Sequence, residues 1–482
     1  MTSATALGAM AIASSPHDAR SGFRLLPDPD LAFNARVELL ARAEQSLDVQ
    51  YYEILDDESG RHVLRLLSDA ARRGVRVRLL VDDLETSGED PLLLGLAVQP
   101  HVEVRLFNPF PAGRDHTSSK ILASLFDLSR LQRRMHNKMM IADGAMAIVG
   151  GRNIGNAYFL RGSMTTFLDL DVLVAGAVVP ALSEIFDLYW NSAPAYPIAA
   201  IAGGARLGPS ELAQSFERHV SQGGLFAAHI LPSKDILGQA PLRDDIEKGS
   251  LELIWANAEA IADAPEKVLG GHFDSVRERV RARARQSTIE VVVTTPYLIP
   301  GDVGMQAMRS LRERGVGITL VTNSLAAIDV PLAFAGYLRY RTPMLRLGVD
   351  IYEVTPERVA KSHRFPVFGS SSGRLHTKAV VIDRQIAVIG SMNLDPRSDG
   401  ENTETALIID SPELARQVLA LVEVVERYAA YQVRLTENGA TVWSNPDPQD
   451  SDPSKFSEEP ETPLWERSLI RLLEPMVPES LL

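Results

Sequence analysis

The sequence predicts an α/β protein of two pseudo-symmetric lobes, each a mainly mixed β-sheet flanked by helices, with an active site at the lobe interface. Three observations carry that prediction. The pattern His-x-Lys-x-x-x-x-Asp occurs twice, as His136, Lys138 and Asp143 and as His376, Lys378 and Asp383, 240 positions apart (376 − 136). Each copy is followed by a glycine and an asparagine, Gly150 with Asn153 and Gly390 with Asn393, so that His to Asn spans 17 positions in both (153 − 136 and 393 − 376). A helix-turn-strand device also recurs: Val63, Leu66, Leu67 and Ala70 lead through Arg73-Gly74 into alternating Val75, Val77 and Leu79. In the second half Met305, Met308 and Leu311 lead through Arg314-Gly315 into Val316, Ile318 and Leu320. A nearly constant offset means that a whole domain is duplicated.

Length agrees with this division. At 482 residues the chain is too long for one ordinary core and supplies two. In order, residues 1–21 read as a flexible leader, because the Ala-rich stretch from Ala4 to Ser15 lacks the basic region that opens a secretory signal. Lobe one spans 22–197 and ends after the helical run Leu182 to Trp190. Residues 198–264 have helical patches but no partner in the other half, so they read as an insertion or linker. Lobe two spans 265–433. Residues 434–462 read as a linker, with a Pro-, Ser- and Asp-rich stretch after Val442 too poor in apolar residues to pack. The last segment, 463–482, is amphipathic: Trp465, Leu469, Leu472 and Leu473 share one side of a helix that also carries Arg467 and Arg471.

Composition excludes several functions. There is no cysteine, so disulfides, thiol nucleophiles and thiolate metal sites are ruled out. A formal charge of −13 disfavours a general nucleic-acid binder. No run of 18 or more apolar residues suggests a membrane span.

The chemistry lies in the repeated motif. Met139 to Ala142 and Ala145 to Val149 read as two strands joined by a tight turn at Asp143-Gly144, and Ala379 to Ile382 and Ile386 to Ile389 repeat the hairpin. Residues two apart on a strand face the same way, which sets each imidazole beside an ammonium. Two imidazoles, two ammoniums and two carboxamides suit a phosphodiester. The lysines, Asn153 and Asn393 would donate to the non-bridging oxygens. One neutral histidine would attack phosphorus while the other, protonated, would supply a proton to the leaving alkoxide. Each histidine needs an acceptor on its second nitrogen. Glu404, 28 residues after His376, is the candidate in the second half; Asp169, 33 residues after His136, with Asp171 beside it, is the candidate in the first. Asp143 and Asp383 read as structural turn residues bonded to their own backbone.

These residues resemble the phospholipase D superfamily, and the strings Met-His-Asn-Lys from Met135, Gly-Gly-Arg-Asn-Ile-Gly-Asn-Ala-Tyr-Phe from Gly150 and Gly-Ser-Met-Asn-Leu-Asp-Pro-Arg-Ser from Gly390 resemble its bacterial cardiolipin synthase-like branch. So do Leu-Asp-Val-Gln-Tyr-Tyr from Leu47 and Arg-Leu-Phe-Asn-Pro-Phe from Arg105. The resemblance implies two phospholipase D-like lobes and transfer of a phosphatidyl group through phosphohistidine, without metal or other cofactor. Cardiolipin would be made from phosphatidylglycerol and a second phospholipid; hydrolysis to phosphatidic acid, or a nuclease or phosphodiesterase activity of the same superfamily, is the alternative. It also implies that His136 is the nucleophile and His376 the acid and base. The family's serine after the glycine is present as Ser391, which would face phosphate, and is replaced by Gly151 in the first copy. Phospholipid substrates and a membrane surface are the implied partners, at the bacterial cytoplasmic membrane and peripherally held. Arg130, Arg133 and Arg134 would give the anionic headgroup a basic approach.

Overall fold

The computed structural model describes residues 4–16, 18–86, 88–110, 132–159, 165–202, 207–222, 231–271, 273–362, 372–447 and 455–476. The chain forms two compact units, the first of Met1–Arg161, Asp171–Asp274 and Glu401–Leu407, the second of Gly162–Leu170, Ser275–Gly400 and Ile408–Leu482. Each unit therefore contains a short stretch from the opposite half of the sequence.

The first unit's strands are β1 (Ser21–Leu26), β2 (Ser46–Tyr51), β3 (Arg76–Asp82), β4 (Val102–Phe107), β5 (Met139–Ala142) and β6 (Met146–Gly150). After β7 (Thr165–Leu168), which belongs to the second unit, come β8 (Asp171–Gly176), β9 (Ala195–Pro197) and β10 (Ile254–Ala262). They form one mixed sheet in the order β10-β1-β8-β6-β5-β2-β3-β4-β9, in which β2, β3 and β4 run parallel and every other pairing is antiparallel. Parallel neighbours need a crossover. The helix Glu58–Arg72 supplies it between β2 and β3, capped by Asp57, whose side chain accepts from Gly60 N. Gly60 is required there, because a Cβ would lie 1.8 Å from the Leu55 carbonyl oxygen.

The second unit's strands are β11 (Glu290–Thr294), β12 (Gly317–Asn323), β13 (Asp350–Val354), β14 (Ser372–Leu375), β15 (Ala379–Ile382) and β16 (Ile386–Gly390). They are followed by β17 (Thr405–Asp410), which crosses the division at Leu407, and by β18 (Ala430–Leu435), β19 (Thr441–Ser444) and β20 (Lys455–Phe456). The order β16-β15-β11-β12-β13-β18-β19-β20 repeats the first sheet's centre, with β11, β12 and β13 parallel. In both units the motif hairpin borders the first of three parallel strands. Both hairpins close with two left-handed residues, Asp143 (φ 54) and Gly144 (φ 59) in one and Asp383 (φ 52) and Arg384 (φ 57) in the other. That is the type I′ geometry that matches strand twist.

Two stretches expected to be mobile are packed instead, and the insertion expected to be helical also supplies a strand. Within the leader, Ala6–Ala13 is a helix, capped by Thr5 and burying Leu7 and Ala11. Within 198–264, β10 adds to the edge strand β1, and the helix Pro209–Gln222 buries Leu212, Phe216 and Val220. This helix approaches the helix Asp90–Ala97 so closely that a Cβ on Gly95 would stand 2.7 Å from the Leu212 carbonyl oxygen. In the expected linker 434–462, β19 and β20 extend the second sheet, and buried Trp443 donates Nε1–H to Glu353 Oε2 at 2.7 Å. Edge-strand additions and single anchoring side chains leave little trace in periodicity, which is why the sequence did not announce them. Residues 448–454 of that stretch lie outside the described residues.

Candidate active site

The first histidine centre is built where the borrowed segment 401–407 meets the motif. Chain pairing brings them together: His136 N donates to Thr403 O at 2.9 Å and Thr403 N to Arg134 O at 2.9 Å. Side chains secure the segment, with Asn137 Nδ2 donating to Thr405 Oγ1 at 2.5 Å and Thr403 Oγ1 donating to Asn137 Oδ1 at 3.0 Å. Asp263 completes the clamp, its backbone N donating to Glu404 O and its Oδ2 accepting from Glu404 N, both at 3.0 Å. Glu404 thus places a fully buried carboxylate 3.0 Å from His136 Nδ1. The Tyr52 ring packs edge-on to the imidazole at 5.2 Å and lies 5.4 Å from Lys138 Nζ.

The second centre is made the same way from the opposite loan. β7 runs parallel to β14, and Leu168 O accepts from His376 N at 2.7 Å and from Thr377 N at 3.0 Å. The next residue, Asp169, places Oδ2 2.5 Å from His376 Nδ1, and the Phe167 ring lies 5.0 Å from the imidazole.

The acceptors are therefore crossed relative to the expectation. Glu404 serves His136, not His376, and Asp169 serves His376, not His136. Counting forward from each motif assumed that each half keeps its own downstream segment, and the exchange of 162–170 and 401–407 breaks that assumption. One numerical sign was present, because the steps of 33 and 28 residues disagree while the rest of the repeat holds its offset. Asp171, the second candidate, is committed elsewhere: it is buried in β8 and pairs with Arg36 at 2.9 Å and Arg152 at 3.1 Å.

Both lysines are buried, and each ammonium donates to the carbonyl of its own histidine, Lys138 Nζ to His136 O at 2.7 Å and Lys378 Nζ to His376 O at 2.5 Å. The His-x-Lys run precedes the strand in both units, so this bond, not strand alternation, holds imidazole and ammonium together. Asn153 is buried, with Nδ2 donating to Glu53 Oε2 at 3.3 Å and to Tyr158 OH at 3.0 Å, while its Oδ1 has no partner among the described residues. Asn393 Oδ1 is likewise buried and unpartnered among the described residues, and Ser391 is buried at the end of β16.

Asp143 and Asp383 do not bond their own turns. The Asp143 carboxylate accepts from Gln45 N at 2.8 Å and Ser46 N at 3.0 Å, ahead of β2. Asp383 accepts from Ser287 Oγ at 2.6 Å, Thr288 N at 3.0 Å, Ile289 N at 2.8 Å and Glu290 N at 3.0 Å, ahead of β11. These bonds outweigh the cost of burial and hold the Asp383 carboxyl down at about 2.

The expected basic approach differs as well. Arg134 is fully buried against Asp82 at 3.1 Å, with its guanidinium 4.7 Å from the Phe110 ring, and Arg133 pairs with Glu401 at 2.7 Å. Both hold the structure around the borrowed segment; Arg130 lies outside the described residues. Reasoning from sequence missed Glu53, Asp263, Asn137 and Phe167 as neighbours of the site. Of these, only Glu53 had a signal, its place just beyond the carboxyl end of a parallel strand.

An imidazole whose Nδ1 meets a buried carboxylate has its tautomer fixed and its cationic form stabilised, so that Nε2 carries the chemistry. Each such group, beside an ammonium, can serve phosphoryl transfer as a nucleophile or as a proton donor, with a cation for the equatorial oxygens.

Comparison with known proteins identifies the family. The family described as cardiolipin synthase, PLD-like domain, matches residues 37–190 and 280–424, so its domain is present twice. Cardiolipin synthase C of Escherichia coli (strain K12) is 36% identical over 472 residues, covering 97% of this chain and 98% of that protein. Cardiolipin synthase A of Pseudomonas fluorescens (strain Pf-5) is 26% identical, covering 84% of this chain and 68% of its own. Among solved structures, phosphatidylserine synthase of Haemophilus influenzae Rd KW20 superposes with a TM-score of 0.60 over 95% of this chain and 94% of its own, at 14% identity, a likeness of fold alone. By the duplicated domain and by its relatives, the chain belongs to the cardiolipin synthase-like branch of the phospholipase D superfamily.

Proposed function

We propose that this enzyme transfers a phosphatidyl group between phospholipids, making cardiolipin from phosphatidylglycerol and a second phospholipid. The observation that carries the reading is the pair of histidine centres, His136 with Glu404 and His376 with Asp169. Nε2 of neutral His136 attacks phosphorus, the bond from phosphorus to the departing headgroup oxygen breaks, and protonated His376 gives that oxygen its proton. Neutral His376 then takes the proton from the hydroxyl of the acceptor lipid as its oxygen attacks phosphorus and the P–N bond breaks. Lys138 and Lys378 hold the charge of the equatorial oxygens, together with Asn153, Asn393 and Ser391. Asp143 and Asp383 keep the hairpin against the adjoining parallel strand.

Contact with a bilayer surface is part of the reading, since both substrates are lipids. Among the described residues no helix is long and apolar enough to cross a membrane. The helix Leu464–Leu473 supports a peripheral contact. It is anchored by buried Ile470, while Leu464 is 67%, Trp465 67%, Leu469 45% and Leu472 66% exposed along one face. The test of the activity is incubation with defined phospholipids and mass spectrometry of the products. Cardiolipin supports transfer; phosphatidic acid alone would replace transfer by hydrolysis, and cleavage of DNA without lipid turnover would refute both.

A further inference from the structure

Glu53 follows β2 and sits against the motif loop, where Ile154 N donates to its carbonyl at 3.1 Å and Leu55 N donates to Ile154 O at 2.8 Å. Its side chain accepts from Asn153 Nδ2, the amide that would otherwise serve a phosphate. As placed, Asn153 spends its nitrogen on Glu53 and Tyr158 and leaves Oδ1 buried without a partner among the described residues. A buried unpartnered oxygen is costly, and an oxygen turned toward an anionic diester would be worse than an empty place. Turning the amide by half a rotation would put its nitrogen in that place, aimed at an acceptor. Its oxygen would then face Tyr158 OH, a donor, and Glu53. An ionised Glu53 forbids this turn, because two acceptors would meet; a neutral Glu53 permits it by donating O–H to Asn153 Oδ1.

We propose that Glu53 is a positioning residue whose neutral form turns the Asn153 carboxamide toward an incoming phosphodiester, so that substrate binding takes up a proton at Glu53. The inference rests on the phosphatidyl-transfer reading for its ligand, a phosphodiester lipid. The charged groups around Glu53 make the switch available near neutrality. Burial, reinforced by the like charges of Glu85 after β3 and Asp57 at the head of the helix Glu58–Arg72, and opposed by the Lys138 ammonium, pushes its carboxyl up to about 7.

The test is calorimetric and needs no turnover. A His136→Ala background is titrated with dihexanoyl phosphatidylglycerol, below the concentration at which it forms micelles, in buffers of different ionisation enthalpy at pH 6 and pH 8. Protons taken up by other groups are common to both proteins, so the decisive quantity is the difference made by Glu53→Gln, which donates to Asn153 at every pH. That difference is expected to be about 0.9 proton at pH 8 and about 0.1 at pH 6. A second variant, Glu85→Gln on the surface, removes a like charge and should move the midpoint of uptake to lower pH. Equal uptake with and without Glu53→Gln overturns the proposal, as does a midpoint that ignores Glu85→Gln or a failure of the lipid to bind. Loss of the transfer reading would appear separately, as a wild-type enzyme that binds the lipid and converts none of it.

Discussion

Replacing Glu404 with Gln tests the crossed pairing most sharply. Glu404 is fully buried, its backbone is fixed on both sides by Asp263, and its Oε2 lies 3.0 Å from His136 Nδ1. Gln keeps the shape and can still accept from Nδ1–H, so the loss is the charge that steadies the imidazolium-like state as the P–N bond forms. A hydrogen bond to a charged group contributes about 1.5–3 kcal/mol. At roughly 1.4 kcal/mol per tenfold, the covalent step should slow by about 10- to 150-fold. The assay is a stopped-flow burst with phosphatidyl-p-nitrophenol, whose leaving group needs no proton. Glu404→Gln should slow the burst itself. Asp169→Asn, which weakens the acid and base at His376, should spare the burst and depress the steady state that follows. A Glu404→Gln burst at the wild-type rate, with the burst lost instead in Asp169→Asn, would refute the assignment of acceptors to histidines.

The other predictions concern stability and surface. Asp383→Ala should cost about 1–3 kcal/mol from its lost charge-assisted bonds, seen as a lower Tm at pH 7. Because its folded-state carboxyl sits at about 2, below the ordinary 3.8, that contribution is present above about pH 4 and fades as pH falls toward 2. Equal melting at pH 7 would contradict the role. Glu53 has the opposite sign: its folded value near 7 lies above the ordinary 4.5, so stability falls as pH rises from 4.5 to 7 and is level above. Glu53→Gln should therefore raise Tm at pH 8 and leave it unchanged at pH 4, and a gain at both would point to packing. The double variant Trp465→Ser with Leu472→Ser should weaken sedimentation with anionic vesicles by about tenfold or more, with turnover of a soluble diester intact. Undiminished sedimentation would free this helix of a membrane role.

The sequence made the repeated centre legible. Apolar runs joined at Asp143-Gly144 and at Asp383-Arg384 placed both hairpins to within a residue, and the matched spacing of His136 and Asn153 with His376 and Asn393 marked the chemical groups. What it did not carry were contacts made by residues far apart in the chain. Nothing in the local pattern at Thr165–Leu168 tells that the strand will lie beside β14 and deliver Asp169 to His376. Arg134 next to His136 reads as a cation for the substrate, yet Asp82 had already claimed it. At the other end, the apolar stripe of Trp465, Leu469 and Leu472 was visible, but only the burial of Ile470 shows which side of that helix rests on the protein.

The covalent intermediate is tested most directly by quenching the enzyme with a slow phosphatidyl donor in alkali, digesting it, and locating the acid-labile phosphorus adduct by mass spectrometry. The adduct is expected on the imidazole of His136, absent from His136→Ala and sparse in Glu404→Gln. An adduct on His376 alone, or full turnover with no histidine adduct at all, would contradict it.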